Sequence, residues 1–258
     1  MSHKARDFSH HISKESALRR PSPLKCAYAY TLREGMITMG GGLPEPCYFP
    51  FSALEAVVPE LGRFSEKETQ VAGDRIVIQK YRTKENNVLS LSDSLQYAQG
   101  YGVSDFLKFV TEHTKLAHKP PYEDWQCSIT AGNTQGLALC LRMLCSRGDA
   151  LLLEEFAYPA AVETADPMGL KLCGIAMDSE GIRDDILEEK LDKWDEQIEG
   201  AKRPTVIYLV PCGQNPSGAT LGINRRKRIY KICQKYDIVI IEDDPYCTLN
   251  IVNIILTC

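Results

Sequence analysis

Three short segments hold more polar and small residues than packing alone requires. Ile129-Thr130-Ala131-Gly132-Asn133-Thr134-Gln135-Gly136 follows a candidate strand, Gln126–Thr130, and opens a stretch of helical apolar spacing that begins at Leu137. Small residues and free N–H groups at the positive end of a helix dipole make this turn a candidate phosphate cradle, although Gly-Asn-Thr serves equally well as an ordinary helix cap. Pro211-Cys212-Gly213-Gln214-Asn215-Pro216-Ser217-Gly218 follows the apolar run Val206–Val210. A plain turn needs only the glycines and prolines, whereas Asn215 adds an amide able to donate to a ligand oxygen. Glu242-Asp243-Asp244-Pro245-Tyr246 follows Ile238–Ile241, and ligands of open α/β sheets gather outside the carboxyl ends of strands. Adjacent carboxylates suit Mg²⁺ binding or general acid/base work, and this segment alone selects neither.

These segments need strands that end and helices that begin beside them. Leu137, Cys140, Leu141 and Leu144 follow the i, i+3, i+4, i+7 spacing of one buried helix face, and Arg147-Gly148-Asp149 supplies a stop. Leu187, Leu191 and Trp194 predict a second helix, and Ile229, Ile232, Cys233 and Tyr236 a third. Between them, Leu151–Leu153, Leu170–Met177, Val206–Val210 and Ile238–Ile241 are short apolar or β-branched runs bounded by turn residues, as in buried strands. This alternation predicts an α/β domain on a mostly parallel sheet. The first 52 residues are rich in Pro, Gly and Ser without sustained periodicity and predict an extended arm, with the α/β domain running from 53 to 258.

Composition narrows the function classes. With 30 Lys and Arg against 34 Asp and Glu, a net charge of −4 argues against a polyanion-binding surface, so no nucleic-acid partner is expected. The run Arg225-Arg226-Lys227-Arg228 is read as the solvated face of an amphipathic helix. No membrane partner is expected, because the longest uncharged span, Thr205 to Asn224, is broken by Pro211, Gly213, Pro216 and Gly218. The polar N-terminus lacks the apolar core of a secretory signal, and the cytoplasm is the expected compartment. Ten scattered cysteines without a CxxC read as buried reduced thiols, and no metal site is expected from five histidines that show no zinc spacing with cysteine.

Taken in order, GGGLPEPCYFP, LQYAQGYG, AGNTQG, EEFAYP, VPCGQNPSG and IIEDDPY resemble the fold-type I, pyridoxal-phosphate-dependent aminotransferases. The likeness is greatest to the fungal aromatic amino-acid enzymes and their kynurenine/2-aminoadipate relatives. The resemblance implies a pyridoxal 5'-phosphate cofactor, amino-acid and 2-oxo-acid substrates, and a homodimer. Asp243 matches the aspartate that pairs with the pyridinium nitrogen and keeps it protonated. Asn215 and Tyr246 match the amide and phenol that hydrogen-bond the ring's 3-oxygen, and Tyr158 the aromatic residue stacked on the ring. Gly132, Asn133 and Thr134 match the phosphate-binding turn, and Tyr97 a tyrosine that reaches the phosphate across a dimer interface. Lys25 and Gly42 match an arm covering the substrate side chain. For Tyr97 and Tyr158 a half-buried structural tyrosine is the plainer reading.

The same resemblance implies a lysine, after Asp243 in a Ser-x-x-Lys-like setting, that holds the cofactor as a Schiff base and moves a proton. No lysine follows Lys235, and Cys247 to Cys258 do not continue the family pattern. The implied C-terminal small domain and the carboxylate-clamping arginine are likewise unmatched. The resulting expectation is an incomplete cofactor domain, without its last sheet strands and with no catalytic lysine. Unpaired strand edges, at about 1–3 kcal/mol for each buried unpaired group, would leave it poorly soluble and inactive. A non-catalytic dimerising or regulatory chain and a lyase or cyclase on the same cofactor are the alternatives.

Overall fold

A computed structural model describes residues 3–31, 33–37, 39–40, 42–83 and 89–248; the tail from Leu249 lies outside the described residues. In chain order the helices are α1 (Lys14–Ala17), α2 (Pro23–Thr31), α3 (Glu66–Ala72), α4 (Leu91–Leu95), α5 (Ser104–His118), α6 (Asn133–Leu144), α7 (Pro159–Ala165), α8 (Asp184–Asp192), α9 (Glu196–Glu199) and α10 (Ile223–Tyr236). The strands are β1 (Ala53–Val58), β2 (Asp74–Gln79), β3 (Ala150–Glu154), β4 (Lys171–Ile175), β5 (Met177–Asp178), β6 (Gly181–Ile182), β7 (Val206–Leu209) and β8 (Val239–Glu242). They fall into two compact units, Met1–Arg20 with His118–Trp125 and Thr130–Cys258, and Pro21–Ala117 with Gln126–Ile129.

The larger unit is an α/β sandwich. Its parallel sheet runs in the order β4-β3-β7-β8. Both central strands are buried along their whole length, which is why they read as unbroken apolar runs. Alternation along them divides the core in two. Leu152, Ile207 and Leu209 pack with Leu187 and Leu191 of α8 and with Ile229, Ile232 and Cys233 of α10. Leu151, Leu153, Val206 and Tyr208 pack on the other face with Leu137, Leu141 and Leu144 of α6 and Ala161 and Ala165 of α7. The helical spacings seen in the sequence are therefore core faces. Trp194 is the exception: it lies beyond the end of α8, where its Nε1 donates to the Ala201 carbonyl at 3.1 Å.

The basic run is a solvated face only in part: Lys227 and Arg228 are exposed, whereas Arg225 and Arg226 are not. Arg225 reaches Asp178 at 2.6 Å, Glu180 at 3.2 Å and Asp184 at 3.4 Å, so it ties α10 to the β5–β6 hairpin and the start of α8. Arg228 adds a forked pair to Asp184. Arg226 turns inward, its Nε donating to the Leu221 carbonyl at 2.9 Å and its Nη2 to the Pro211 carbonyl at 3.3 Å. Partners 5 to 47 residues away supplied this order, and no sequence period marks them.

In the smaller unit β1 and β2 form an antiparallel hairpin, Ala53 opposite Gln79 and Val58 opposite Asp74. Capping boxes start α3 (Ser65 with Glu68) and α4 (Ser90 with Asp93). Gln126–Thr130 is not the expected strand. Among the described residues no strand lies beside it, and Ile129 is held instead by its N–H donating to the Tyr101 carbonyl at 2.8 Å. Gly102, at φ +120, makes that approach possible, because a Cβ there would sit 2.6 Å from the Ile129 side chain. Nor are the first 52 residues an extended arm throughout, since α1 and α2 occupy part of them and residues 1–20 belong to the larger unit. Of the cysteines, Cys145, Cys212 and Cys233 are buried as expected, whereas Cys26 and Cys47 are exposed.

Leu152, fully buried between α8 and α10, and Leu139, half-exposed on α6, provide an internal contrast. Leu152→Ala is expected to lower unfolding stability by about 2–5 kcal/mol and Leu139→Ala by under about 1, read from urea midpoints monitored by circular dichroism. Equal losses would contradict the assigned core.

Candidate functional site

The carboxyl ends of β3, β7 and β8 open into a cavity of about 240 Å³ lined by Asn133, Thr134, Tyr158, Asn215, Asp243 and Tyr246, with Leu137, Ala160, Val210 and Pro245 between them. Six of the residues singled out in the sequence thus share one space within one unit. They arrive from four places, the start of α6, the start of α7 and the segments after β7 and β8, as expected for an open α/β sheet. Gly132, the N-cap of α6, has φ 157 and ψ 168, a conformation open mainly to glycine, and a Cβ there would meet nothing. Its turn is tied by Thr130 Oγ1 donating to the Gly132 carbonyl at 3.0 Å and by the Ala131 N–H donating to Gln135 Oε1 at 2.6 Å. Asn133 and Thr134, which line the cavity, are the first residues of α6 and so stand at the positive end of its dipole.

Asp243 follows β8 directly, and its N–H donates to the Leu209 carbonyl at 2.9 Å. In the β7–β8 register Tyr208 pairs with Ile241, so Asp243, two residues on, projects to the same face. There the Tyr208 hydroxyl donates to Asp243 Oδ2 at 3.0 Å. Burial, reinforced by the neighbouring Asp243 charge, pushes the Tyr208 phenol far above its ordinary range, so it acts only as a neutral donor. Tyr208 was not singled out in the sequence. It looks like one more apolar residue of a core strand, and only the register reveals its partner.

Glu154, 1% exposed at the end of β3, was also missed. Its Oε2 accepts from the Val210 N–H and from Gln214 Nε2, both at 3.2 Å. Gln214 Nε2 donates as well to the Phe156 carbonyl at 2.5 Å, while Gln214 Oε1 accepts from Ser217. One buried carboxyl thereby joins the segment leading to Tyr158 with the loop carrying Asn215. On that loop Gly213, at φ +54, lies under the Tyr246 ring, which a Cβ would meet at 3.6 Å. Cys212 accepts from Arg226 Nη2 at 3.0 Å, yet burial dominates and holds the thiol up at about 11.

Tyr97, Lys25 and Gly42 belong to the smaller unit, where they line a separate cavity of about 620 Å³ with Tyr30, Met36 and Leu43. Tyr97 is 73% exposed.

Burial raises the Glu154 carboxyl to about 7, with its two hydrogen bonds opposing the shift. A carboxyl raised in the folded state destabilises as it ionises, so the penalty is absent below its unfolded value of 4.5 and complete above about pH 7. Across that window stability is expected to fall by on the order of 3 kcal/mol from this group. Glu154→Gln keeps an oxygen acceptor for both donors and removes the ionisation. Unfolding midpoints from pH 5 to 8 should therefore be flatter in the variant, and parallel profiles would refute the assignment.

The chain is similar to several known proteins. Residues 64–250 match the family described as aminotransferase class I and II. An aromatic amino acid aminotransferase of Schizosaccharomyces pombe is 40% identical over 252 residues, covering 97% of this chain and 53% of its own. The crystal structure of an aminotransferase from Candida albicans superposes with a TM-score of 0.87 at 37% identity, over 96% of this chain and 52% of that one. A Pyrococcus horikoshii kynurenine aminotransferase, solved in complex with PMP, gives a TM-score of 0.56 at 26% identity over 93% and 52%. The chain spans about half the length of the curated relatives it matches. With most of its length matched and its parallel sheet shared, the chain belongs to the class I and II aminotransferases, the pyridoxal-phosphate-dependent enzymes of fold type I.

Proposed function

We propose that this chain forms the cofactor-binding wall of an aminotransferase that moves the amino group of an aromatic amino acid to a 2-oxo acid. The observation that carries the reading is the single cavity shared by Asn133, Thr134, Tyr158, Asn215, Asp243 and Tyr246. Its donor set fits pyridoxal phosphate: a carboxylate for the ring nitrogen, an amide and a phenol for the ring oxygen, an aromatic face, and a helix start for the phosphate. When bound, that group supplies an electron sink for the substrate's Cα–H electron pair. Asp243 holds a proton on the ring nitrogen. Tyr208 fixes Oδ2 of that carboxylate. Tyr158 covers one ring face and excludes water from it, while Asn215 and Tyr246 orient the ring through its oxygen. Asn133 and Thr134, with the Gly132 backbone, take the dianionic phosphate.

The aromatic preference is supported by relatives of that name. The exposed Tyr97 suits a role in a homodimer, where one protomer's tyrosine reaches the phosphate of its partner. Lys25 and Gly42 are assigned to the substrate side chain.

Since the chain covers about half of its relatives' length, the test reads binding rather than turnover. Fluorescence titration with pyridoxal 5'-phosphate should saturate, and pyridoxal without the phosphate should bind more weakly. Asp243→Asn is expected to weaken binding roughly tenfold or more through loss of a charged hydrogen bond. Thr134→Ala should narrow the difference between the two ligands. Affinity unchanged in both variants would sink the reading.

A further inference from the structure

We propose that His10, His11 and Asp237 form a binding site for a divalent first-row transition cation of the zinc class, apart from the cofactor cavity. One ligand atom from each of the three lies within 4.8 Å of the others. His10 Nε2 is 2.6 Å and His11 Nε2 3.4 Å from Asp237 Oδ2. Nothing along the chain marks this grouping, because Asp237 lies 227 positions from His10.

His11 supplies the second, independent observation. Its side chain is 1% exposed; Nδ1 has no hydrogen-bond partner, and Nε2 has only the long 3.4 Å contact to Asp237 Oδ2. A buried imidazole so poorly satisfied is costly, and native structures seldom keep one without a reason. A cation shared with Asp237 would satisfy Nε2, because neutral imidazole is a preferred zinc-class ligand, and would leave Nδ1 as the buried N–H. Phe8 packs near the same ring, centroids 5.8 Å apart, and fixes its plane.

The surroundings favour a cation. Asp237 is the C-cap of α10, in the left-handed conformation at φ 57 and ψ 54, so its carboxylate stands at the negative end of a helix of 14 residues. The histidine segment is already positioned by the Ser13 N–H donating to the Met143 carbonyl at 2.7 Å and by Ser13 Oγ donating to the Arg142 carbonyl at 2.6 Å. His10 and Asp237 are 50% and 41% exposed, which leaves an entry path and room for a water as fourth ligand. Ligand atoms about 2.1 Å from zinc in a tetrahedron lie roughly 3.4 Å apart. The His11–Asp237 pair already has that spacing, and the exposed His10 ring must withdraw from its metal-free ion pair by somewhat under an ångström. Asp237 precedes β8 and Asp243 follows it, which puts the two sites at opposite ends of the sheet, about 20 Å apart.

The test uses the whole chain, stripped with a chelator and kept reduced. Calorimetry with zinc should show one site per chain that weakens at least tenfold in His10→Ala and in Asp237→Asn. Both substitutions spare the buried His11, and circular dichroism checks their folding. Cobalt as a probe should give ligand-field bands without thiolate charge transfer. Pyridoxal 5'-phosphate binding should be unchanged in both variants, which separates this site from the cofactor reading. Three outcomes overturn the proposal: no uptake by the parent chain, uptake undiminished in both variants, or a thiolate spectrum that places the metal on cysteines.

Discussion

The parallel pairing of β7 with β8 is the constraint on which the site depends. It sets Tyr208 beside Ile241 and Leu209 beside Glu242, and the pleat then brings the Asp243 carboxylate and the Tyr208 hydroxyl together on one face. A slip of one residue would turn Asp243 toward the α8 and α10 side, into the cluster built from Ile207, Leu209 and Ile229. The register is secured because both faces are buried and every misplaced residue would lose packing. Core and chemistry are therefore one problem here: alternate residues of β7 build one apolar layer while Tyr208, from the other layer, holds the acid.

A second restraint acts across the sheet. Glu154 on β3 accepts from the backbone of Val210 and the side chain of Gln214, and Arg226 on α10 reaches the opposite side of the same loop through Pro211 and Leu221. The loop bearing Asn215 is thus gripped from the strand layer and from the helix layer. Rigid loops of this kind position polar groups without reorganisation when a ligand arrives.

Much of this could be read from the sequence, for identifiable reasons. The strands β3 and β7 announce themselves because both of their faces are buried, β4 and β8 because their apolar residues still reach both core clusters, and α6 and α10 because their buried faces keep helical spacing. The pocket residues Asn133, Asn215 and Asp243 stand out as polar groups at strand ends. Other features were hidden because their meaning lies in a partner far along the chain. Gln126–Thr130 has strand-like residues but no adjacent strand among the described residues, Arg225 looks solvated until Asp178 is placed beside it, and Tyr208 and Glu154 look like core until the register is known. His10 and His11 are the extreme case, adjacent to each other and silent until Asp237 is brought to them.

The larger unit is assembled from discontinuous stretches, with residues 1–20 packed among residues that follow Thr130. Ser13 bonds the backbone of Met143, and His10 meets Asp237. On the ribosome the leading segment is made first, yet the surfaces that receive it emerge more than a hundred residues later. The opening segment must therefore wait, unpaired and accessible to chaperones, while the intervening unit can close on its own local contacts. Such long-range closure slows folding, because residues 1–20 can dock only once the surfaces beyond Thr130 exist.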